Sequence, residues 1–125
     1  MTKKMTTEEK IQWKELCEWV EINIFNYDIE YKHLCPKTAL VLKGLCNNQP
    51  IANNKIKKTN EIVYPSNVVL MAFKVNKIKI LHAIKNKCFE NEFNKMFYVC
   101  SIVKKDIDDI YQRYLRTLEV NHDKN

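Results

Sequence analysis

"FNKMFYVCSIVKKDIDDIYQRYLRTL", Phe93 to Leu118, returns an apolar residue every three or four positions. Phe93, Met96, Cys100, Val103, Ile107, Ile110, Tyr114 and Leu118 set the rhythm, and Phe97, Tyr111 and Leu115 widen it. At about 100° per residue they share one side of a helix. The period predicts one long amphipathic helix of about seven turns, packed on the rest of the chain or on a partner. Asp109 and Arg113, four apart on the outer face, are an ordinary helix-supporting pair.

Working back along the chain, "VVLMAFKVNKIKILHAIKNK" is apolar and basic. Leu70, Phe73, Ile80, Leu81 and Ile84 share one side, and Val68, Met71, Val75 and Ile78 share another. It reads as one central helix or as two short ones divided near Asn76. Pro65 stands early in it, with Ser66 as a candidate cap. Two apolar stretches around Asn76 also admit a DNA-reading helix-turn-helix, because Asn tolerates the turn conformation usually given to Gly. Lys77 argues against it, falling where the residue after the turn should be buried.

Ahead of this lies "ANNKIKKTNEIVYPSN", Ala52 to Asn67, a basic and Asn-rich insert. It is long for a loop in a compact domain, and such loops are functional, flexible or hide structure. "KIKKTNEIVY" is compatible with a short β-hairpin turning at Thr59-Asn60, since Ile56, Ile62, Val63 and Tyr64 suit strands. "PKTALVLKGLCNN" precedes the insert as a helix apolar on all sides, hence buried, with Pro36 at its first position. "NYDIEYKH" is a connector with some strand character. "TTEE" near the start places Glu9 three residues after Thr6, the capping-box spacing. Trp13, Leu16, Cys17, Val20 and Ile24 then form a core stripe. Ile11, Trp19 and Ile22 lie on another side, broken by Glu15 and Glu18. That ragged apolar edge is covered by a neighbouring segment or faces a partner.

The expected fold is all-α: a compact bundle of four to five helices with a long C-terminal amphipathic helix and an irregular or short β-hairpin insert near residues 47–64. A chain of 125 residues is expected to be a single domain over 1–125, burying about two-thirds of its unfolded surface. No apolar run approaches the roughly 18 residues that cross a bilayer, and "MTKKMTTEEK" has no secretory h-region. The five cysteines, an odd number, fit free thiols in a reducing compartment, so a cytoplasmic location is expected. Heavy use of Lys, Asn and Ile with one Gly and three Pro is typical of an AT-rich genome, such as a low-GC bacterium or its phage.

Enzyme chemistry finds little support. Gly44 is the only glycine, which excludes Gly-rich phosphate loops and a nucleophile elbow. Ser66 and Ser101, the only serines, sit in no nucleophile motif. His33 and Cys35 with Cys46, and Cys88 as a fourth ligand, make the best metal candidate, but no paired ligand spacing supports it. Cys17 and Cys100 lie on core stripes, where cysteine acts as a small hydrophobe. Asp106 and Asp108 in "DIDD" point to different sides of a helix, as solvated charge does. His82 reads as a packed or half-exposed imidazole rather than a catalytic base. No metal and no cofactor are expected.

The charge distribution is collective and lopsided. Residues 1–30 carry four basic and seven acidic groups, residues 31–89 eleven lysines and one acid, and residues 90–125 six basic and seven acidic groups. The net +6 therefore comes from a central block of net +10. Lys55, Lys57 and Lys58 on the insert, with Lys74, Lys77 and Lys85 on the next helix, could track a phosphate backbone, Tyr64 adding a stacking surface. The bland alternative is that these lysines only solubilise a buried segment. The leading expectation is a non-enzymatic nucleic-acid-binding protein using those six lysines. The alternative is a phage or mobile-element protein that binds and inhibits a nucleic-acid-processing or defence enzyme, an inhibitor or adaptor of anti-CRISPR type. It would engage its partner through Ile11, Trp19 and Ile22 or through the lysine face.

Overall fold

The computed structural model describes residues 6–46, 51–52, 55–56 and 64–123, with side chains over 6–46 and 64–119. Six helices carry the described residues: α1 (Thr7–Asn23), α2 (Pro36–Cys46), α3 (Ser66–Val75), α4 (Lys77–Ile84), α5 (Glu92–Lys104) and α6 (Ile107–Asp123). The all-α class is as expected, while the count exceeds four to five because the expected long C-terminal helix is divided, in addition to the break near Asn76 that the expectation allowed.

The capping box forms as the sequence reads. The Glu9 N–H donates to the Thr6 hydroxyl and the Thr6 N–H donates to the Glu9 carboxylate, both at 3.1 Å. Asn26, at φ 57, turns the chain off the end of α1, a left-handed conformation that Asn tolerates better than most residues. The connector that follows is a turn rather than a strand. Asp28 holds it, its carboxylate taking the Glu30 N–H and its carbonyl the Tyr31 N–H.

The first division falls at Asn76. Its side-chain amide donates to the Ala72 carbonyl at 2.9 Å, competing for the acceptor that its own N–H uses at 3.1 Å. Its backbone sits at φ −94, ψ 4, outside the helical well, and the Ile80 N–H then returns to the Asn76 carbonyl to open α4.

The second division corrects the long C-terminal helix. The Lys105 and Asp106 N–H groups bond three residues back, to Ile102 and Val103, tightening the last turn of α5. The Ile110 N–H bonds to the Asp106 carbonyl and starts α6. Lysines 104 and 105 close one helix and Asp106, Asp108 and Asp109 open the next, each sign opposite to the dipole end it meets. The apolar stripe is thereby shared out, with α5 packing along α2 and α6 along α3. α1 also packs along α3, so α3 is the central helix. Phe73, Val68, Val69 and Ala72 of α3 are fully buried with Leu16 and Val20 of α1, Leu42 of α2 and Met96, Val99 and Val103 of α5.

The β-hairpin insert is not supported. Pairing among the described residues is a two-rung antiparallel ladder, Ile51 with Ile56 and Ala52 with Lys55. Two residues a side is too short to make a hairpin of independent stability. The expected turn at Thr59-Asn60 lies outside the described residues. The ends of the insert are fixed, however: the Tyr64 N–H donates to the Cys46 carbonyl at 2.6 Å. The end of α2 and the residue before Pro65 are therefore neighbours.

Candidate interaction surface

α4 is held by a thin contact. Of its eight residues only Ile80 is buried, although five are apolar. The side of α3 and α4 carrying Met71, Val75 and Ile78 is the one left uncovered. Ile78 is 83% exposed and Val75 66%, with Met71 and Leu81 less so. A large apolar group that open to water marks an interaction site when it recurs along one face. Lys74, Lys79 and Lys85 are exposed around it, and Lys77 is half-buried. Residues 64–89 contain five lysines and no acid, and among the described residues these four lysines have no acidic partner.

The other lysines of the basic block are engaged locally. Lys32, Lys37, Lys43 and Lys87 place their ammonium groups 4.5 to 4.8 Å from the ring centres of Tyr27, Phe93, Trp13 and Tyr98. Those four ammonium groups keep their charge, and Lys74, Lys77, Lys79 and Lys85 add four more on the α3–α4 arm. Lys57 and Lys58 lie outside the described residues, and Lys55 stands in the two-rung ladder with its side chain outside them.

Tyr64 does not offer a stacking surface. It is buried, donates its hydroxyl to Asp108 at 3.2 Å and meets the Tyr111 ring edge-on at 5.2 Å. Its pKa is raised, by burial first and by the Asp108 carboxylate second. It anchors the end of the insert to α6.

The ragged edge of α1 divides. Trp19 is half-buried, its ring 6.2 Å from that of Phe73, so α3 covers it. Ile11 and Ile22 remain 54% and 46% exposed. They lie three turns apart on one side with Glu15 and Glu18 between them.

The metal candidate comes apart. His33 leans on the buried Glu21 at 3.3 Å, Cys35 and Cys88 are exposed, and Cys46 is buried at the end of α2. Among the described residues no three His, Cys, Asp or Glu side chains are arranged to hold a metal ion. Glu21 and Glu92 serve the connector instead. Glu21 accepts the Leu34 N–H at 2.7 Å, and Glu92 accepts the Tyr27 hydroxyl at 2.6 Å and the Cys35 N–H at 2.9 Å. No helix of the described residues is long and apolar enough to cross a membrane.

A family model described as SPbeta prophage protein YorH matches residues 1–125. No curated protein and no solved structure matches. The chain belongs to that family of prophage proteins.

Proposed function

We propose that this prophage protein works without catalysis, by binding and thereby inhibiting a nucleic-acid-processing or defence enzyme, and that α4 is its contact face. The observation that supports this most is the exposed Ile78 within the lysines of the α3–α4 arm. Phosphate binding needs cations and gains nothing from an exposed isoleucine beside them. A protein interface, in contrast, combines an apolar centre that is desolvated on binding with a polar rim that fixes partner and register. An acidic surface with an apolar pocket, as an enzyme handling nucleic acid or its regulator can offer, matches both parts. Membership of a prophage family agrees with the phage or mobile-element origin in this reading.

A second reading keeps the lysines and discards the isoleucine. Lys74, Lys77 and Lys85, with Lys55, Lys57 and Lys58 of the insert, would follow a nucleic-acid backbone. What favours it is the absence of acidic partners for the first three among the described residues. Titration of purified protein against short DNA and RNA, single- and double-stranded, at two salt concentrations separates the readings. The inhibitor reading expects no saturable binding at moderate salt. Binding that falls steeply with salt, and is lost when Lys74 and Lys85 become Glu but not when Lys104 and Lys105 do, would replace it with the second.

A further inference from the structure

The chain carries two exposed amphipathic stripes of opposite sign. α1 presents Ile11, Glu15, Glu18 and Ile22 at steps of four, three and four, which places all four on one side. Ile11 and Ile22, half-exposed at either end, span about 16 Å of helix. The α3–α4 arm presents Val75, Ile78 and Leu81 among Lys74, Lys79 and Lys85, with no acid between residues 64 and 89. Each stripe alone leaves apolar side chains in water. Each also has an excess of what the other lacks: Glu15 and Glu18 against the one Lys14 along the α1 stripe, lysines without carboxylates beside Ile78.

We propose that the acidic stripe of α1 is the occupant of the α4 face on a second copy of this chain. Ile22 of one copy meets Ile78 of the other, and Glu15 and Glu18 meet the lysines. A two-fold arrangement makes the contact twice, α1 on α4 and α4 on α1, and closes without leaving a stripe open. Charge complementarity sets the register, and apolar burial at Ile22 and Ile78 holds it. The pairing goes beyond the enzyme-binding reading and does not rest on it. The α4 face cannot serve a second copy and an enzyme at once, so the pair is a stored form from which an enzyme with a stronger acidic surface would draw the single chain.

Charge reversal tests this with the full chain alone. Glu15→Lys/Glu18→Lys makes both stripes positive, and Lys74→Glu/Lys79→Glu/Lys85→Glu makes both negative. By sedimentation velocity the parent should form dimers at low salt that dissociate at high salt. Each reversed variant should stay monomeric, with unchanged circular dichroism, and an equimolar mixture of the two should restore a one-to-one dimer. Ile78→Ser, which changes no charge, should weaken the parent dimer at least tenfold. A parent that is monomeric at low salt, or a mixture that stays monomeric, overturns the pairing. Those outcomes would leave α4 open to an enzyme, so the function proposed above would survive them.

Discussion

Glu92 stands in the first turn of α5 yet accepts hydrogen bonds from the Tyr27 hydroxyl, the Cys35 N–H and Thr38, so one carboxylate joins the connector and the start of α2 to α5. Burial on its own would raise its pKa, but these donors favour the charged form and hold it below the usual value of 4.5. A carboxyl whose folded pKa is depressed contributes stability above its unfolded pKa and loses it as pH falls through the folded value. The urea midpoint should therefore drop as pH falls below 4.5. Glu92→Gln should blunt that drop, and at neutral pH should cost about 1.5 to 3 kcal/mol, the range for hydrogen bonds to a charged group. Equal acid sensitivity in parent and variant would assign the drop to other carboxylates. The thiols make a second case. Burial pushes Cys17 and Cys46 up to about 12 and raises Cys100 as well, whereas Cys35 and Cys88 are exposed. Iodoacetamide should modify Cys35 and Cys88 in the native protein and all five only after unfolding, counted by mass. A third rapid adduct would contradict the core placement.

At the scale of elements, α4 should be the least protected helix of the bundle, since Ile80 is its only buried side chain. At high salt, where the proposed pair is apart, amide hydrogen exchange should be faster across Lys77–Ile84 than across α3 and α5. Equal protection would mean that α4 is covered in solution. α6 behaves differently, because Ile107, 2% exposed, seats its first turn against the core. Ile107→Asp would bury an unpaired charge and should cost on the order of 3 kcal/mol or more in chemical unfolding. Both helices show what the sequence could and could not convey. The stripe from Phe93 onward was legible, but its division was not. Lys105 stays helical at φ −62, ψ −34, so the apolar positions keep phase across the junction, and periodicity sees only phase. The signal was in the charges: "KKDIDD" reverses sign where one helix dipole ends and another begins. At Asn76 the break was legible as an option from the turn conformation that Asn tolerates. The residue sits at φ −94, ψ 4, however, and what breaks the helix is its amide competing for the Ala72 carbonyl.

For the whole molecule, the basic block was legible and its apolar companion was not. A helical wheel places Leu70 and Phe73 on one side of the α3–α4 arm and Met71, Val75 and Ile78 on another, but it cannot say which side α1, α2 and α6 will cover. The fold buries Phe73 and Ile80 of the first with Val68 of the second, and leaves Met71, Val75 and Ile78 of the second with Leu81 of the first in water. The same packing covers Trp19, leaving Ile11 and Ile22 as the remainder of the α1 edge. The insert was expected to supply lysines to one continuous face with α4. Lys57 and Lys58 lie outside the described residues, which show only that the flanking Cys46 and Tyr64 are joined by a backbone hydrogen bond beside the start of α3. The central claim is that the α4 face engages a protein, with its apolar residues required. Affinity capture from infected host extract, with and without nuclease, measures this most directly when parent and Ile78→Glu are compared. The account predicts a stoichiometric protein that survives nuclease and disappears with Ile78→Glu, while the variant keeps the parent's circular dichroism. Material that nuclease removes, and that Ile78→Glu retains, would contradict it.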